Sequence, residues 1–282
     1  NMYTEECSAA ISDDFGNLLF YTNGQEVFNK NYTLMPNGSG ILGHVSSAQG
    51  ATILKMPGTV NKYYLFTLDA EFLSNGLRYS VIDMNLDNGL GDVTTKNVLI
   101  NSTSTERLTI VKHSNNVGYW LIIHGLSNTF YSYYIDSLGI DLNPVISNTG
   151  TVLNNSPSNA RGNMKASSLA NKLALSYEVP QKVELFNFDN SSGLISNPLN
   201  LITGGAWYYG IEFSPNGRFL YVANVFNWSI EQFDMAAGNI VLSKITIPGV
   251  MGNITGAMLR GPDDKIYISN VNDYYFGVIN SP

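Results

Sequence analysis

A short polar turn followed by a run of aromatic and β-branched residues occurs six times along this chain of 282 residues. The copies lie at residues 16–21, 61–66, 117–122, 171–176, 217–222 and 264–269. Their starting points are 45, 56, 54, 46 and 47 residues apart. One four-stranded propeller blade needs about 40 to 50 residues, and a blade buries both faces of its sheet only between two neighbours. The repeat therefore predicts an all-β chain folded as a β-propeller with six visible blades of four antiparallel strands.

Each repeat shows the same order of elements. Innermost strands are expected at residues 7–12, 50–55, 108–112, 162–166, 209–213 and 256–259. Tight turns rich in Pro, Gly, Asn and Asp follow, and the aromatic segment then forms the second strand. The two longer spacings imply insertions at residues 83–95 and 147–163, which are rich in Gly, Asn and Ser and are predicted to be loops. Helical periodicity is absent, so we expect less than about 10% helix.

The ends of the sequence bear on ring closure. The first repeat opens on an innermost strand, and the sixth ends after its third strand. A closed propeller commonly completes its last blade with strands from both termini. We therefore expect residues 1–282 to form a single propeller domain with incomplete termini and closing blade, a fragment of a larger protein. The ring has either six blades closed by strands outside this chain or a seventh blade beyond both ends, and seven blades are preferred for the intact domain.

Composition excludes some functions. Charged residues make up 13% of the chain, the net charge is −7, and the 15 Lys and Arg residues form no run. Nucleic-acid binding depends on clustered Lys and Arg, so it is not expected. No apolar segment approaches the ~20 residues of a membrane-spanning helix. Polarity comes instead from uncharged residues, including 34 Asn.

Polar residues on or just before the innermost strands are the candidate ligand site, because these strands line a propeller's central channel. The candidates are Gln49, Glu106, Arg107, Lys112, His113, Arg161, Lys165 and Glu212. The alternative is that these groups neutralise one another and hold channel water. If they bind a ligand, Glu106, Lys112, His113, Arg161 and Lys165 should cluster at one end of the channel.

No motif indicates a cofactor. His44, His113 and His124 lie on different repeats or strands, and neither a His-x-x-His motif nor a Cys pair exists for zinc. The Asp-rich turn at residues 83–92 offers oxygen ligands for calcium but lacks the EF-hand spacing, so turn chemistry is the preferred interpretation. A Gly-x-Ser-x-Gly nucleophile elbow is also absent. Aromatic groups at residues 207–209, 226–228 and 274–276 suit either sugar stacking or packing between blades, and packing is favoured.

The only cysteine, Cys7, has two interpretations. It is either a small buried hydrophobic residue or half of a disulfide whose partner lies outside these residues. A catalytic thiol is disfavoured, because no His is near Cys7 in sequence.

Residues 214–224 resemble the blade signature of surface-layer and lactonase-like seven-bladed propellers. A broader resemblance rests on short motifs in order, at residues 5–13, 16–24, 27–31, 35–38, 46–49, 75–80, 105–109 and 111–113. Together they are similar to the N-terminal propeller of large cell-surface proteins of gliding Bacteroidetes, which carry PKD-type repeats and a C-terminal gliding-motility or type IX secretion sorting domain. The resemblance implies export to the outer cell surface by the type IX machinery, but it brings no catalytic residues.

Two modifications follow from this resemblance. The related proteins continue past the equivalent of Pro282 into a Cys-containing loop and a closing strand, which implies a disulfide between Cys7 and a residue outside this chain. Asp136-Ser137-Leu138 fits the Asp-Ser/Thr-apolar pattern that surface proteins of Bacteroidetes use for O-glycosylation, so Ser137 is a candidate acceptor.

The leading functional prediction is a non-enzymatic binding or adhesion module that contacts a glycan, a surface protein or a substratum. One alternative is a lactonase-like hydrolase at the central channel, for which Glu106, His113 and Arg161 are the plausible residues. Another is a structural cap on a surface fibre.

Overall fold

A computed structural model of the protein describes residues 2–71, 73–154, 156–247, 255–270 and 275–282, with only the backbone described at residue 255. It is an all-β propeller with six blades of antiparallel strands, as the repeat predicts. Blade 1 contains β1 (Ala9–Ser12), β2 (Leu18–Thr22), β3 (Glu26–Asn29) and β4 (Leu34–Ser39). Blade 2 contains β5 (Ala51–Lys55), β6 (Lys62–Leu68), β7 (Leu77–Asp83) and β8 (Asp92–Asn101).

Blade 3 contains β9 (Ser104–Lys112), β10 (Tyr119–Gly125), β11 (Ser127–Asp136), β12 (Gly139–Ile140) and β13 (Val145–Leu153). Blade 4 contains β14 (Met164–Ala166), β15 (Lys172–Tyr177), β16 (Lys182–Asp189) and β17 (Leu194–Thr203). Blade 5 contains β18 (Tyr208–Phe213), β19 (Phe219–Asn224), β20 (Ser229–Asp234) and β21 (Ile245–Ile247). Blade 6 contains β22 (Thr255–Arg260), β23 (Ile266–Asn270) and β24 (Gly277–Ile279) within the described residues.

Among the described residues helix is confined to single turns, and the helical content of 4% confirms the low value expected. One helical turn, α1 (Pro157–Ala160), lies between blades 3 and 4. Two 3₁₀ turns lie at Asp87–Gly89 and Val241–Ser243. Within the described residues, no helix is long and apolar enough to span a membrane.

The two segments predicted as insertion loops are partly strand, so that prediction is wrong in part. β8 already begins at Asp92, and β13 runs from Val145 to Leu153. β13 pairs with β11, with Val145 opposite Ser132 and Ser147 opposite Phe130. Its Val, Ile and Thr residues favour strand, and this preference outweighs the Ser, Asn and Gly content that suggested a loop.

The hydrophobic core is divided among the blade junctions. Between blades 2 and 3, for example, Phe66 packs in one buried cluster with Leu121. Between blades 3 and 4, the rings of Phe130 and Phe186 lie 5.1 Å apart in a T-shaped contact. Each strand presents alternate side chains to the two neighbouring blades, so the second strands are buried on both faces, as the apolar repeats indicate.

Antiparallel topology gives the channel two different ends. The innermost strands begin at one end, where the loops joining second to third strands and the loops joining successive blades also lie. We call this the upper end. The innermost strands finish at the lower end, beside the turns that lead into the second strands.

Candidate functional site

The upper end of the channel contains a polar cavity of about 500 Å³, which we call the upper pocket. It is lined by Glu6, His44, Ser46, Ala70, Glu71, Leu73, Glu106, Arg161 and Glu178. Four carboxyl groups and one guanidinium thus share one cavity. Loops from blades 2 and 4, the segments leading into blades 1, 2 and 4, and the start of β9 converge there.

Glu106 is the most buried carboxyl group of the upper pocket, with 1% of its surface exposed. It lies near the start of β9. Its Oε2 accepts a hydrogen bond of 2.8 Å from the backbone N–H of Ala48, and its Oε1 accepts one of 2.7 Å from that of Glu71. Burial raises the pKa of Glu106 to about 6, although these two bonds favour the charged form. This carboxyl group therefore changes protonation state close to neutral pH.

Arg161 supplies the positive charge of the upper pocket. Its guanidinium donates to Glu71 Oε1 at 2.6 Å and to Glu178 Oε1 at 3.4 Å. The hydrogen bond to Glu71, together with the charge of Glu178, raises the pKa of Arg161. The side chain remains 43% exposed. Because a guanidinium has five N–H donors, donors remain available for a ligand.

Glu6 lies at the mouth of the pocket and joins the start of the chain to blade 5. Its Oε1 accepts a hydrogen bond of 3.0 Å from the hydroxyl of Tyr209. Burial raises the pKa of Glu6, against the hydrogen bonds from Tyr209 and Ser46. Two carboxyl groups of one pocket therefore have raised pKa values; the charge of Glu6 contributes to raising the pKa of Glu106, and that of Glu178 contributes to raising the pKa of Glu6.

The lower end of the channel holds a smaller cavity of about 220 Å³, the lower pocket. Lys165 Nζ lies 3.0 Å from Glu212 Oε2, and Lys112 and Arg260 also line this cavity. Glu212 accepts further hydrogen bonds from the backbone N–H groups of Phe213 and Arg260. This arrangement is a buried ion pair with additional positive charge around it.

The structure therefore divides the predicted site residues between the two ends of the channel. Glu106 and Arg161 lie at the upper end, whereas Lys112, Lys165 and Glu212 lie at the lower end. The sequence placed all of them on or just before innermost strands but gave no information on where along the channel axis each one lies. Because Glu106 and Lys112 are at opposite ends of β9, the expected single cluster does not form.

Gln49 and Arg107 are placed between strands and line neither pocket. Gln49 Nε2 donates to the carbonyl of Met164 at 3.0 Å, and its Oε1 accepts from the N–H groups of Met164 and Leu108. Its amide therefore ties the innermost strands of blades 3 and 4 together. Arg107 follows Glu106 on β9, so its side chain leaves the opposite face of the strand and enters the junction with blade 4.

Arg107 is fully buried in that junction. It donates to the carbonyl oxygens of Ser176 at 3.0 Å and Asn159 at 3.1 Å, and also to that of Arg161. Its guanidinium lies 4.5 Å from the ring centroid of Tyr177. Burial lowers the pKa of Arg107 to about 10. The expectation that Arg107 lines the channel is therefore wrong. Its side chain lies in the junction between blades 3 and 4, where it holds the loop that carries Arg161.

The remaining histidines are also outside the pockets. His113 lies in the turn between β9 and β10 and packs against Trp120 and Tyr134, with ring centroids 5.3 and 5.0 Å away. It therefore does not join Glu106 and Arg161, as the hydrolase alternative required. His124 is fully buried beside Phe130, and burial lowers its pKa well below the usual value.

Cys7 and Ser137 differ in accessibility. Cys7 is 1% exposed, and its Sγ is so close to Gly24 and Gly50 that a Cβ at either glycine would lie 2.8 Å away. These surroundings match the buried-hydrophobe interpretation, while a disulfide to a residue outside this chain stays a prediction. Ser137 is exposed in the turn after β11, next to the 95% exposed Leu138. Its glycosylation likewise stays a prediction.

Several aromatic residues that the sequence favoured as packing residues are exposed instead. The exposed fractions are 48% for Trp207, 71% for Phe226, 51% for Trp228, 79% for Tyr275 and 68% for Phe276. These residues follow second strands or precede an innermost strand, so all five lie at the upper end of the propeller. The packing interpretation holds only for neighbours such as Tyr208, which is 4% exposed.

Three carboxyl residues of the upper pocket could not be found by searching innermost strands. Glu6, Glu71 and Glu178 are on loops rather than innermost strands, and they were not selected. A usable signal existed, because every loop between second and third strands reaches the upper end. Among the described residues, no group of three or more His, Cys, Asp or Glu side chains is arranged to hold a metal ion.

Comparisons with known proteins support the fold. No protein-family model and no curated protein matches the chain. Hydrazine synthase from Kuenenia stuttgartiensis is a structural neighbour with a TM-score of 0.60 and 12% identity, over 96% of this chain and 82% of that one. A putative 6-phosphogluconolactonase from Bacteroides uniformis gives a TM-score of 0.60 and 14% identity, over 95% and 79% of the two chains. The Pseudomonas aeruginosa periplasmic gluconolactonase PpgL gives 0.58 and 12%, over 98% and 82%.

These neighbours support the β-propeller fold of this chain, and two of the three are named as lactonases. They also contradict the prediction that the chain is not an enzyme, because neighbours of this architecture are named as gluconolactonases, which are enzymes. That prediction relied on the absence of linear catalytic motifs. In this fold, side chains from separate blades meet in one pocket, and such a pocket leaves no linear motif.

Proposed function

We propose that the protein is a lactonase-like hydrolase that opens an uncharged cyclic ester in the upper pocket. One observation carries the proposal. The upper pocket brings Arg161 together with two carboxyl groups of raised pKa, Glu6 and Glu106, and the pKa of Glu106 is about 6. A general base works best when its pKa lies near the working pH. The names of two structural neighbours support the same reaction class.

The reaction requires a base and a stabiliser of negative charge. Ionised Glu106 takes a proton from water as the water oxygen attacks the ester carbonyl carbon. The N–H donors of Arg161 that remain free bind the oxyanion that forms on the carbonyl oxygen. The ring C–O bond then breaks, and the proton on Glu106 passes to the departing ring oxygen. The balance is one lactone and one water to one hydroxy acid.

The charge of the upper pocket selects the substrate. Glu6, Glu71, Glu106 and Glu178 face a single guanidinium, and that guanidinium already pairs with Glu71 and Glu178. An anionic substrate would meet an excess of carboxylates at short range, where repulsion is weakly screened. We therefore expect an unphosphorylated sugar lactone or another neutral lactone to be preferred over a phosphorylated one.

The test is a lactone panel measured against spontaneous hydrolysis. Glucono-δ-lactone, simple γ- and δ-lactones and 6-phosphogluconolactone are each followed by acid release with a pH indicator. The neutral lactones should be hydrolysed faster than the phosphorylated one. Replacement of Glu106 by Gln, or of Arg161 by Gln, should lower kcat/KM by about 100-fold or more.

Glu212 provides the matched control. It is also a buried carboxylate that accepts backbone N–H bonds, but it lies at the lower end of the channel. The Glu212→Gln variant should keep activity within about twofold, since it leaves the upper pocket intact. The proposal is refuted if the protein accelerates the hydrolysis of none of the lactones above the spontaneous rate. It is also refuted if the Glu106→Gln variant is as active as the wild-type protein.

The order of short motifs supports a proposal about location. We propose that the protein is exported by type IX secretion machinery to the outer cell surface, where its partner is a glycan or another surface protein. Protease treatment of intact cells of the native source should then digest the protein. Full protection until the cells are lysed would contradict surface exposure.

A further inference from the structure

A second large cavity lies between the outer parts of blades 4 and 5, and we call it the blade 4–5 cavity. Its volume is about 740 Å³, within the range of about 300–1,000 Å³ typical of small-molecule sites. It is formed by the end of β17, the loop leading into β18, and strands β19 to β21. None of its lining residues belongs to the upper pocket.

Two buried polar side chains face this cavity. Glu231 is 3% exposed, and its Oε2 accepts a hydrogen bond of 2.7 Å from Thr246 and lies 3.6 Å from Lys244 Nζ. Ser229 is 5% exposed, and within the described residues its hydroxyl has no hydrogen-bond partner. Buried hydroxyl groups are nearly always bonded. Ser229 therefore points to a ligand or solvent group in the cavity.

Comparison of blades 4 and 5 explains why this space exists. Their second and third strands have the same register: Leu175 pairs with Glu184 in blade 4, and Val222 pairs with Glu231 in blade 5. Two residues along, Tyr177 pairs with Lys182 in blade 4, whereas Asn224 pairs with Ser229 in blade 5. Glu231 is thus the counterpart of Glu184.

In blade 4 the larger pair satisfies the buried carboxylate. The Tyr177 hydroxyl donates to Glu184 Oε2 at 3.0 Å, and Lys182 Nζ lies 2.9 Å from Oε1. Smaller residues replace both of these side chains in blade 5. The positions that hold a phenol hydroxyl and an ammonium group in blade 4 therefore leave room beside Glu231.

Two of the three tryptophans in the chain are neighbours in sequence of residues that line the blade 4–5 cavity. Trp207 immediately precedes the lining residue Tyr208, and Trp228 stands between the lining residues Asn227 and Ser229. A hydrogen bond of 2.8 Å from the N–H of Val225 to the carbonyl of Trp207 joins the two loops. Both indoles are about half exposed. Trp228 also has a φ of 52°, a left-handed conformation that is costly for a bulky residue and is retained mainly at functional sites.

We propose that the blade 4–5 cavity binds a pyranose ring of an uncharged saccharide. Lys244 already compensates the charge of Glu231. A ligand therefore needs no positive charge to bind there. Its hydroxyl groups can donate to Glu231 and form hydrogen bonds with Ser229 and Asn227. The apolar face of a pyranose suits an aromatic ring, and Tyr208 lines the cavity. This site is separate from the upper pocket and does not depend on lactone hydrolysis.

Tryptophan fluorescence provides the test, because Trp120 is the only other tryptophan and is 6% exposed. The protein is titrated with glucose, galactose, mannose, N-acetylglucosamine and their β-linked disaccharides. At least one should shift the emission of Trp207 or Trp228 with a saturable curve. The Ser229→Ala and Glu231→Gln variants should weaken binding about tenfold, the effect of losing a hydrogen bond to a buried or charged group.

A double variant imports the blade 4 pair into blade 5. Asn224→Tyr with Ser229→Lys should fill the cavity and abolish binding. Trp228→Ala should weaken binding severalfold, whereas Phe15→Ala, which removes a 92% exposed aromatic ring from a lower-end turn, should not alter it. Lactonase activity in the upper pocket should be unchanged in the Ser229→Ala variant. The variants are compared only after circular dichroism shows native strand content.

Three results would overturn the proposal. The first is the absence of a saturable response to every saccharide tested. The second is a response that the Ser229→Ala, Glu231→Gln and double variants all retain. The third is binding of an amine such as glucosamine or methylamine without binding of neutral sugars, which would make the cavity a cation site. If lactone hydrolysis fails while sugar binding persists, the proposed activity is wrong and this site stands.

Discussion

Replacing Arg107 by Met tests whether a buried guanidinium holds the loop that carries Arg161. Arg107 is fully buried and donates to three backbone carbonyl groups, those of Asn159, Arg161 and Ser176. It also lies over the ring of Tyr177, 4.5 Å from the centroid. Methionine fills part of the volume but offers no donor. The substitution therefore removes one hydrogen-bond donor from each of three carbonyl groups.

The magnitude follows from opposing contributions. Three hydrogen bonds from a charged donor, at about 1.5 kcal/mol each, stabilise the fold by about 4–5 kcal/mol, and stacking on Tyr177 adds about 2 kcal/mol. Against this, burial lowers the pKa of Arg107 from 12.5 to about 10, which corresponds to a cost of about 3 kcal/mol for keeping the charge buried. The net loss expected for Arg107→Met is therefore about 3–4 kcal/mol.

Urea unfolding followed by circular dichroism measures this loss as a fall in the midpoint at constant slope. Arg218 is the matched control, because its guanidinium also has an electrostatic partner, the Asp234 carboxylate at 3.1 Å, and also lies over an aromatic ring, that of Phe219, at 5.2 Å. Its side chain is 57% exposed, so Arg218→Met should cost less than about 1 kcal/mol. If Arg107→Met is no more destabilising than Arg218→Met, the reasoning about this junction fails.

Three further predictions concern protonation and modification. The pKa of Glu106 is raised from 4.5 to about 6, so kcat/KM for lactone hydrolysis should rise with pH through about 6 and then level off. The contribution of Glu106 to folding stability is full below pH 4.5 and falls by about 2 kcal/mol as the pH rises from 4.5 through 6. The urea midpoint of the wild-type protein should therefore decline relative to that of Glu106→Gln over this pH range. Burial raises the pKa of Cys7 from 9.0 to about 12, so Ellman's reagent at pH 8 should react about a thousandfold more slowly in the folded than in the urea-unfolded protein, and rapid labelling of folded protein would contradict its burial. Intact mass of native-source protein should show a sugar on Ser137, and an unmodified peptide spanning Asp136 to Leu138 would exclude it.

The fold was accessible from the sequence because propeller repeats carry their signal locally. The second strands were identified from aromatic and β-branched runs, and the structure confirms them as β2, β6, β10, β15, β19 and β23. β13 was missed in part, because its Ser, Asn and Gly residues suggested a loop while its pairing with β11 is made across a distance in sequence. Local composition thus fails where a long-range partner decides the conformation.

The candidate site was only partly accessible for a geometric reason. Glu106 and Arg161 were selected because they lie on or just before innermost strands, and both line the upper pocket. Lys112 was selected by the same rule but lies at the other end of its strand. Arg107 shows the second limit, because its side chain enters the next junction rather than the channel. The rule identified strands but omitted height along the axis and side-chain direction.

Differences between repeats at equivalent positions supply the information that the rule omitted. Equivalent positions in two blades have equivalent neighbours, so packing alone predicts side chains of similar size. Glu184 and Glu231 keep the same place, yet Tyr177 and Lys182 give way to Asn224 and Ser229. Two adjacent losses of volume beside a retained buried carboxylate require either collapse or a cavity. The structure has the cavity, so comparing equivalent positions of the repeats locates a cavity that composition alone does not indicate.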